Sequence, residues 1–395
     1  MKYTLMIAVV LCGLCCAASA EPLFQVRDIF PLVGEHVHGS SIVECANGDL
    51  LACWFQGSGE RTADDVRVNG ARLRKGEDAW SPVFLMADTP NFPDCNPVLF
   101  IDARDRLWLF WIAVQANRWE CSLLKYRRAE EYTGDGPPIW SWQGVIMLKP
   151  GEAFAESMKA GFDDLHMDEG MWAEYAFPYT RLLLDAAKDP YKRQTGWMTR
   201  IHPLALPSGR ILLPLYSDGF NASLVAISDD LGETWRPSAP MIGEGPIQPT
   251  LVRKKDGTLV AYLRDSGGAP ARAMASESKD DGETWSAARD SKIPNPGSSL
   301  EAIALQDGRW LLVLNDSPMS RGRLSAWLSE SEGDDWEHKR LIEPCDDKGR
   351  SFAYPSVIQS ESGLVHLSYS FSAKEGGALI RHCTFNMEWT KEEDE

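Results

Sequence analysis

A chain of 395 residues with 44% apolar and 10% aromatic side chains can bury a large core. A formal charge of −17, with no Lys/Arg cluster, argues against nucleic acid as a partner. It leaves an anionic sugar open, because a few arginines in a cleft can dominate the local field.

Residues 1–20 read as an export signal. Lys2 gives the positive start, Met6 to Leu14 is an apolar run, and Ala18-Ser19-Ala20 fits a small-residue cleavage site. The run is too short for a membrane span, and no later segment resembles one, so a secreted or periplasmic protein cut after Ala20 is expected. Cys15 and Cys16 follow Leu14, where a lipidation site needs a small residue. Residues 21–395 then form one domain. It keeps Cys45, Cys53, Cys95, Cys121, Cys345 and Cys383, whose spacings suit buried thiols as well as bridges. The mature chain has no CxxC and no His pair at ligand spacing, so no metal and no cofactor is expected.

Short turns followed by apolar runs recur along the chain. They stand at Asn47-Gly48-Asp49, Arg104-Asp105-Arg106, Ser208-Gly209-Arg210, Asp256-Gly257-Thr258, Asp307-Gly308-Arg309 and Ser362-Gly363-Leu364. Each reads as a hairpin turn leading into a strand such as LLACWF or LWLFWIA, and six turns predict six blades. The interval from Asp105 to Gly209 is the long one, 104 residues. Within it GEAFAESMKAGFDDL and TRLLLDAAKD have helical composition. A degenerate seventh blade competes with an inserted, partly helical segment at about 150–195. The insertion is preferred, since no hairpin signal lies between Lys149 and Gln194.

One eight-residue pattern repeats. SDDLGETW at Ser228–Trp235 and SKDDGETW at Ser278–Trp285 share Ser-x-Asp-x-Gly-x-x-Trp, and SESEGDDW at Ser329–Trp336 keeps all but the aspartate. Ser and Asp can bond the backbone ahead of them, the glycine permits a positive φ, and the tryptophan staples the turn to a sheet. The glycines stand 50 and 51 residues apart (Gly232, Gly282, Gly333), a period that signals blades, solenoids or arrays. The pattern resembles the Asp-box, or bacterial neuraminidase repeat, of the sialidase superfamily. The resemblance spans essentially the whole mature chain and implies an all-β, six-bladed β-propeller. The boxes mark its outer corners and take no part in chemistry.

Sialidases hold the substrate carboxylate with three arginines and use an aspartate as acid/base and a tyrosine as nucleophile, activated by a glutamate. The resemblance places Arg264, at the end of TLVAYLR, as the second arginine. Arg321 in RGRLSAWLSES is the third, with Arg323 as its rival. Arginine suits this task because its planar fork holds a carboxylate through two parallel bonds. Tyr354 in FAYPSV matches the nucleophile, and the proline after it predicts an extended backbone there. Asp65 in GERTADDVRV falls where the acid/base resides, with Asp64 as alternative and Arg61 beside it. Two positions depart from the pattern. His38 stands where the first arginine is expected, and Gln248 in PIQPTLV stands where the glutamate is expected. Glu244 is a substitute for that glutamate. Arg200 and His202 in TRIHPLALPSGR precede the third hairpin and are further substrate-binding candidates.

The implied function is a secreted, sialidase-like glycoside hydrolase of exo-α-sialidase type. Its partner is an acidic glycan ending in sialic acid or a uronate. Alternatives are a uronate-polysaccharide lyase or a rhamnosyl-glucuronate-cleaving enzyme using His38 with Tyr354, and a non-catalytic glycan-binding propeller.

Overall fold

Each Gly- or Asp-containing turn named above closes on itself through backbone hydrogen bonds. Cys45 N reaches Asp49 O at 2.7 Å and Gly48 N reaches Cys45 O at 2.7 Å, and the other turns close alike. The two strands that each turn joins are thereby fixed in register. The computed structural model describes residues 21–167, 180–343 and 349–392; the export signal and Cys345 lie outside these.

The described residues form six four-stranded antiparallel sheets. A first strand, β1 (Phe24–Asp28), is held over for the last sheet. Sheet one contains β2 (His36–Glu44), β3 (Leu50–Gly57), β4 (Arg67–Leu73) and β5 (Phe84–Ala87). Sheet two contains β6 (Asp94–Ile101), β7 (Leu107–Val114), β8 (Ser122–Glu131) and β9 (Ile139–Val145). Three helices follow: α1 (Ala153–Leu165), α2 (Thr180–Lys188) and α3 (Pro190–Gln194). Sheet three contains β10 (Leu204–Ala205), β11 (Ile211–Ser217), β12 (Ala222–Ser228) and β13 (Arg236–Pro237). Sheet four contains β14 (Pro246–Arg253), β15 (Leu259–Asp265), β16 (Arg272–Ser278) and β17 (Arg289–Pro294). Sheet five contains β18 (Glu301–Ala304), β19 (Trp310–Leu314), β20 (Leu324–Ser329) and β21 (His338–Glu343). Sheet six has β22 (Ser351–Gln359), β23 (Val365–Ser372) and β24 (Ala378–Phe385), and β1 adds to β24 as its fourth strand.

First strands line the axis: β2 touches both β6 and β22, and β18 touches β14 and β22. The arrangement is a six-bladed propeller. Its core lies between blades. Leu51, Cys53 and Val68 of the first meet Leu107, Leu109 and Trp111 of the second, and Val260 and Tyr262 of the fourth meet Leu312 and Trp327 of the fifth. A second strand is thus covered on both faces, which is why LWLFWIAV is buried throughout instead of alternating.

The eight-residue repeats join third strands to fourth ones. Ser228 Oγ accepts from Gly232 N at 2.7 Å, and the Asp230 carboxylate accepts from Thr234 N at 2.9 Å and from Ser228 Oγ at 2.8 Å. In the third copy Ser331 Oγ takes the aspartate's place, accepting from Asp335 N at 3.0 Å. Gly232 has φ +87°, and a Cβ there would lie 2.5 Å from the buried ring of Trp108. Gly232→Ala is therefore expected to cost about 2–5 kcal/mol, from left-handed strain plus overpacking. Gly209, at φ +89° with nothing within 4 Å, should lose only the strain, about 1–2 kcal/mol, as alanine. Calorimetry on the two variants checks this; equal melting shifts would remove the packing argument.

The helices connect β9 to the first strand of the third blade. Phe154, Met158 and Phe162 recur every fourth residue on α1 and are buried. Phe154 packs against Trp197 and Phe220, and Gly161 lies against Ile242. Phe220 is in the β11–β12 loop and Ile242 in the crossover to the fourth blade, so the helices wall the end of the propeller at which first strands begin.

Candidate active site

First strands run from one end of the axis to the hairpin turns at the other. Four of them are bulged near the start, between His38 and Ser41, Cys95 and Val98, Ile247 and Thr250, and Ala353 and Ser356. Each bulge holds one left-handed residue: Gly39 (φ +62°), Asn96 (+51°), Gln248 (+54°) and Tyr354 (+55°). The last three precede a proline. Tyr354 is therefore not in the extended backbone expected from the sequence. The bulge takes two residues against one on the neighbouring strand, and the left-handed turn re-aims the phenol.

A bulge also frees carbonyls from the ladder. Arg200 satisfies two of them, donating from Nη1 to Ser40 O at 3.0 Å and from Nη2 to Pro355 O at 3.2 Å. Thr199 Oγ1 donates to a third, Asn96 O, at 2.7 Å. Burial pulls Arg200 below the usual guanidinium range, opposed by the carboxylate of Glu301. Its guanidinium carbon lies 4.9 Å from the centre of the Tyr354 ring.

Two more guanidinium groups reach the same tyrosine. Arg264, at the end of β15, donates from Nη1 to Tyr354 Oη at 2.9 Å and is only 4% exposed. Arg321, in the β19–β20 loop, lies 5.5 Å from the ring centre and donates one arm to Gly297 O at 2.6 Å. Its rival Arg323 is paired with Asp316 at 2.7 Å. His38 meets the Tyr354 ring edge to face, 4.0 Å between centres. Burial, then His36 and the three arginines, holds its imidazole well below the usual range, so His38 is neutral. Gln248 Nε2 lies 3.5 Å from Tyr354 Oη and bonds Tyr216 as well. Glu244 is exposed, and the described contacts place no carboxylate on the tyrosine oxygen.

Tyr354, Arg264, Arg321, Arg200, His38 and Gln248 thus come together. The other candidates sit elsewhere. His202 lies one step further along the axis, bridging Glu301 Oε1 at 2.7 Å, Ile42 O at 3.0 Å and Ser41 Oγ at 3.1 Å. Blades one, three and five are cross-linked there. Asp65 is exposed and folds back on its own loop, accepting from Ser58 N at 3.1 Å and Ser58 Oγ at 2.9 Å. Arg61 stacks over Trp119 at 5.3 Å.

Two residues of the cluster were missed in the sequence. Tyr216 Oη accepts from Asn96 Nδ2 at 3.0 Å; burial, then Asp218 and Tyr354, push this phenol well above its usual range. The signal for Asn96 was there: Asn96-Pro97 repeats the residue-proline pair of Gln248-Pro249 and Tyr354-Pro355. The five described cysteines outside the export signal and residues 344–348 are free thiols. The described residues contain no group of three or more His, Cys, Asp or Glu side chains fit to hold a metal ion. No helix among them is long and apolar enough to cross a membrane.

The sequence profile of the BNR repeat-like domain matches residues 48–156 and 194–367. Among curated proteins, an anhydrosialidase of Macrobdella decora is 24% identical over 186 residues, 41% of this chain and 23% of the relative. The match therefore spans about a quarter of that relative's length. Among solved structures, the intramolecular trans-sialidase of Ruminococcus gnavus, in complex with oseltamivir carboxylate, superposes with a TM-score of 0.66. The two are 14% identical over 91% of this chain and 96% of that one. A protein of unknown function from Dyadobacter fermentans gives 0.65 at 18% identity, covering 91% and 99%.

Proposed function

Because this chain belongs to the BNR repeat-like family of sialidase-type propellers, we propose that it is a glycoside hydrolase removing a terminal carboxylate-bearing sugar, a sialic acid or a uronate. The observation that carries this is the gathering of Arg200, Arg264 and Arg321 around Tyr354 at the axis. Arg264 and Arg321 receive the carboxylate, with Arg200 bracing the tyrosine from the bulge carbonyls. Tyr354 faces the anomeric carbon as nucleophile, and negative charge developing on its oxygen is met by Arg264. Relatives named for sialic acid chemistry, one of them holding a carboxylate ligand, support the same reading. We further propose export as a single domain of residues 21–395, which the mass of the mature protein tests.

Purified protein should release the terminal sugar from sialosides or from glucuronate-capped glycans, and Tyr354→Phe should abolish that release. Binding of these glycans without turnover would instead make it a lectin-like propeller.

A second reading is favoured by one pair of observations: a neutral imidazole packed on Tyr354, and Gln248 in place of a carboxylate. On a uronate polysaccharide His38 then removes the proton beside the carboxylate, and the product is an unsaturated uronate absorbing in the near ultraviolet. Under this reading His38→Ala lowers turnover by about 10²–10⁴-fold, the usual worth of a positioned proton-transfer group. Robust sialic acid release that is undiminished in His38→Ala rules it out.

A further inference from the structure

A hydrolase of this kind needs a proton for the departing sugar oxygen, and the axial cluster contains no acid that touches Tyr354. The loop between β3 and β4 carries three carboxylates: Glu60, Asp64 and Asp65. They point three ways. Asp65 is bound to Ser58, as described, and Asp64 is exposed with Asn117 Nδ2 3.4 Å from it. Glu60 is half-buried and turned inward, where its charge acts on His36 and on the thiol of Cys95, both in first strands.

The inward direction leads to the site. The His36 and His38 rings are 5.8 Å apart, and the His38 and Tyr354 rings 4.0 Å. His36 Nε2 is buried without a hydrogen-bond partner. An unsatisfied ring nitrogen beside a carboxylate marks a place where a polar ligand is absent.

The backbone beside Glu60 is held. Asn117 Nδ2 donates to Arg61 O at 2.8 Å, and the Arg61 guanidinium stacks on Trp119. The supporting loop stores strain: Ala116 and Asn117 are consecutive left-handed residues, both at φ +54° and neither a glycine. Such outliers persist where the surrounding structure over-determines them, often at functional sites.

We propose that Glu60 is the acid/base of the site, protonating the glycosidic oxygen and then activating water. This rests on the hydrolase reading above. Glu60 gives its proton to the glycosidic oxygen as the bond to the anomeric carbon breaks, the electron pair stays on that oxygen, and the aglycone leaves as an alcohol. Water then bonds to the anomeric carbon and yields a proton to the Glu60 carboxylate, which restores the acid.

The test uses methyl and 4-nitrophenyl glycosides of the sugar that the wild-type protein releases. Glu60→Gln should lose about 10²–10⁴-fold in kcat/KM on the methyl glycoside. On the 4-nitrophenyl glycoside, whose leaving group needs no proton, it should lose less than about tenfold in the bond-breaking step. The alkaline limb of its pH–rate profile should vanish. Equal losses on both glycosides, or the leaving-group signature appearing in Asp65→Asn instead, overturn the assignment while leaving the hydrolase reading intact. A wild-type protein that cleaves neither glycoside overturns both.

Discussion

Arg264→Ala should lower kcat/KM on the carboxylate substrate by about 10²–10⁴-fold. A charge-assisted hydrogen bond contributes about 1.5–3 kcal/mol, and a guanidinium fork makes two to one carboxylate. At about 1.4 kcal/mol per decade, two bonds span that range. Tyr354 also loses the donor now 2.9 Å from its oxygen, so kcat should fall along with affinity. Arg264→Lys keeps the charge and loses the fork, and an intermediate value is expected of it. Steady-state kinetics on all three proteins decides. A loss below tenfold in the alanine variant would show that the carboxylate is held elsewhere.

Stability should fall sharply as the solution is acidified from pH 7.5 to 5. Three histidines are buried and neutral in the folded chain: His38, His382 and His366. Burial leads in each case, and it pulls His366 down to about 4. His366 Nδ1 and His382 Nε2 lie 3.1 Å apart, so each also opposes a charge on the other. In the unfolded chain these rings take up a proton near pH 6.5, and below that value the unfolded state binds more protons than the folded one. The stabilisation is whole above pH 6.5 and is lost as the pH falls from there toward the folded values. By pH 5 the loss is up to about 2 kcal/mol for each ring.

Two buried aspartates work in the opposite direction. Asp94 and Asp265 are raised to about 6, in both cases by burial first, so acidification relieves them by about 1.4 kcal/mol each by pH 5. The net expectation is a fall of about 3 kcal/mol, read from urea midpoints at the two pH values. A midpoint that stays level or rises would mean that these rings are solvated in the folded protein.

The fold is legible in the sequence because each blade repeats its own punctuation: a glycine turn after the first strand and, in three blades, a Ser-to-Trp corner after the third. Arg264 and Tyr354 are legible for the same reason, since they stand at fixed distances from that punctuation. The direction in which a loop carboxylate points is not written that way. Glu60 and Asp65 are five residues apart, and which of them faces the axis depends on Ser58 taking one and on Asn117 gripping the backbone beside the other. Arg200 was legible as an axial residue, but not its duty. That follows from carbonyls at Ser40 and Pro355, in two other blades, which only the bulges set free.

The strand pair that completes the last blade carries a consequence for how the protein is made. Phe24 of β1 pairs with Phe385 of β24, so the earliest strand to leave the ribosome waits for almost the last. At ordinary rates of translation the wait is roughly 20–70 s. Throughout it the ring stands open, with the flanks of blades one and five lacking the blade that packs on both. Such a chain calls for chaperoning until its two ends meet. Tyr354 arrives with that final blade, and Arg200 finds its Pro355 carbonyl only there. A half-made chain is therefore inert, and whatever glycan this protein attacks is safe from it until the circle has closed.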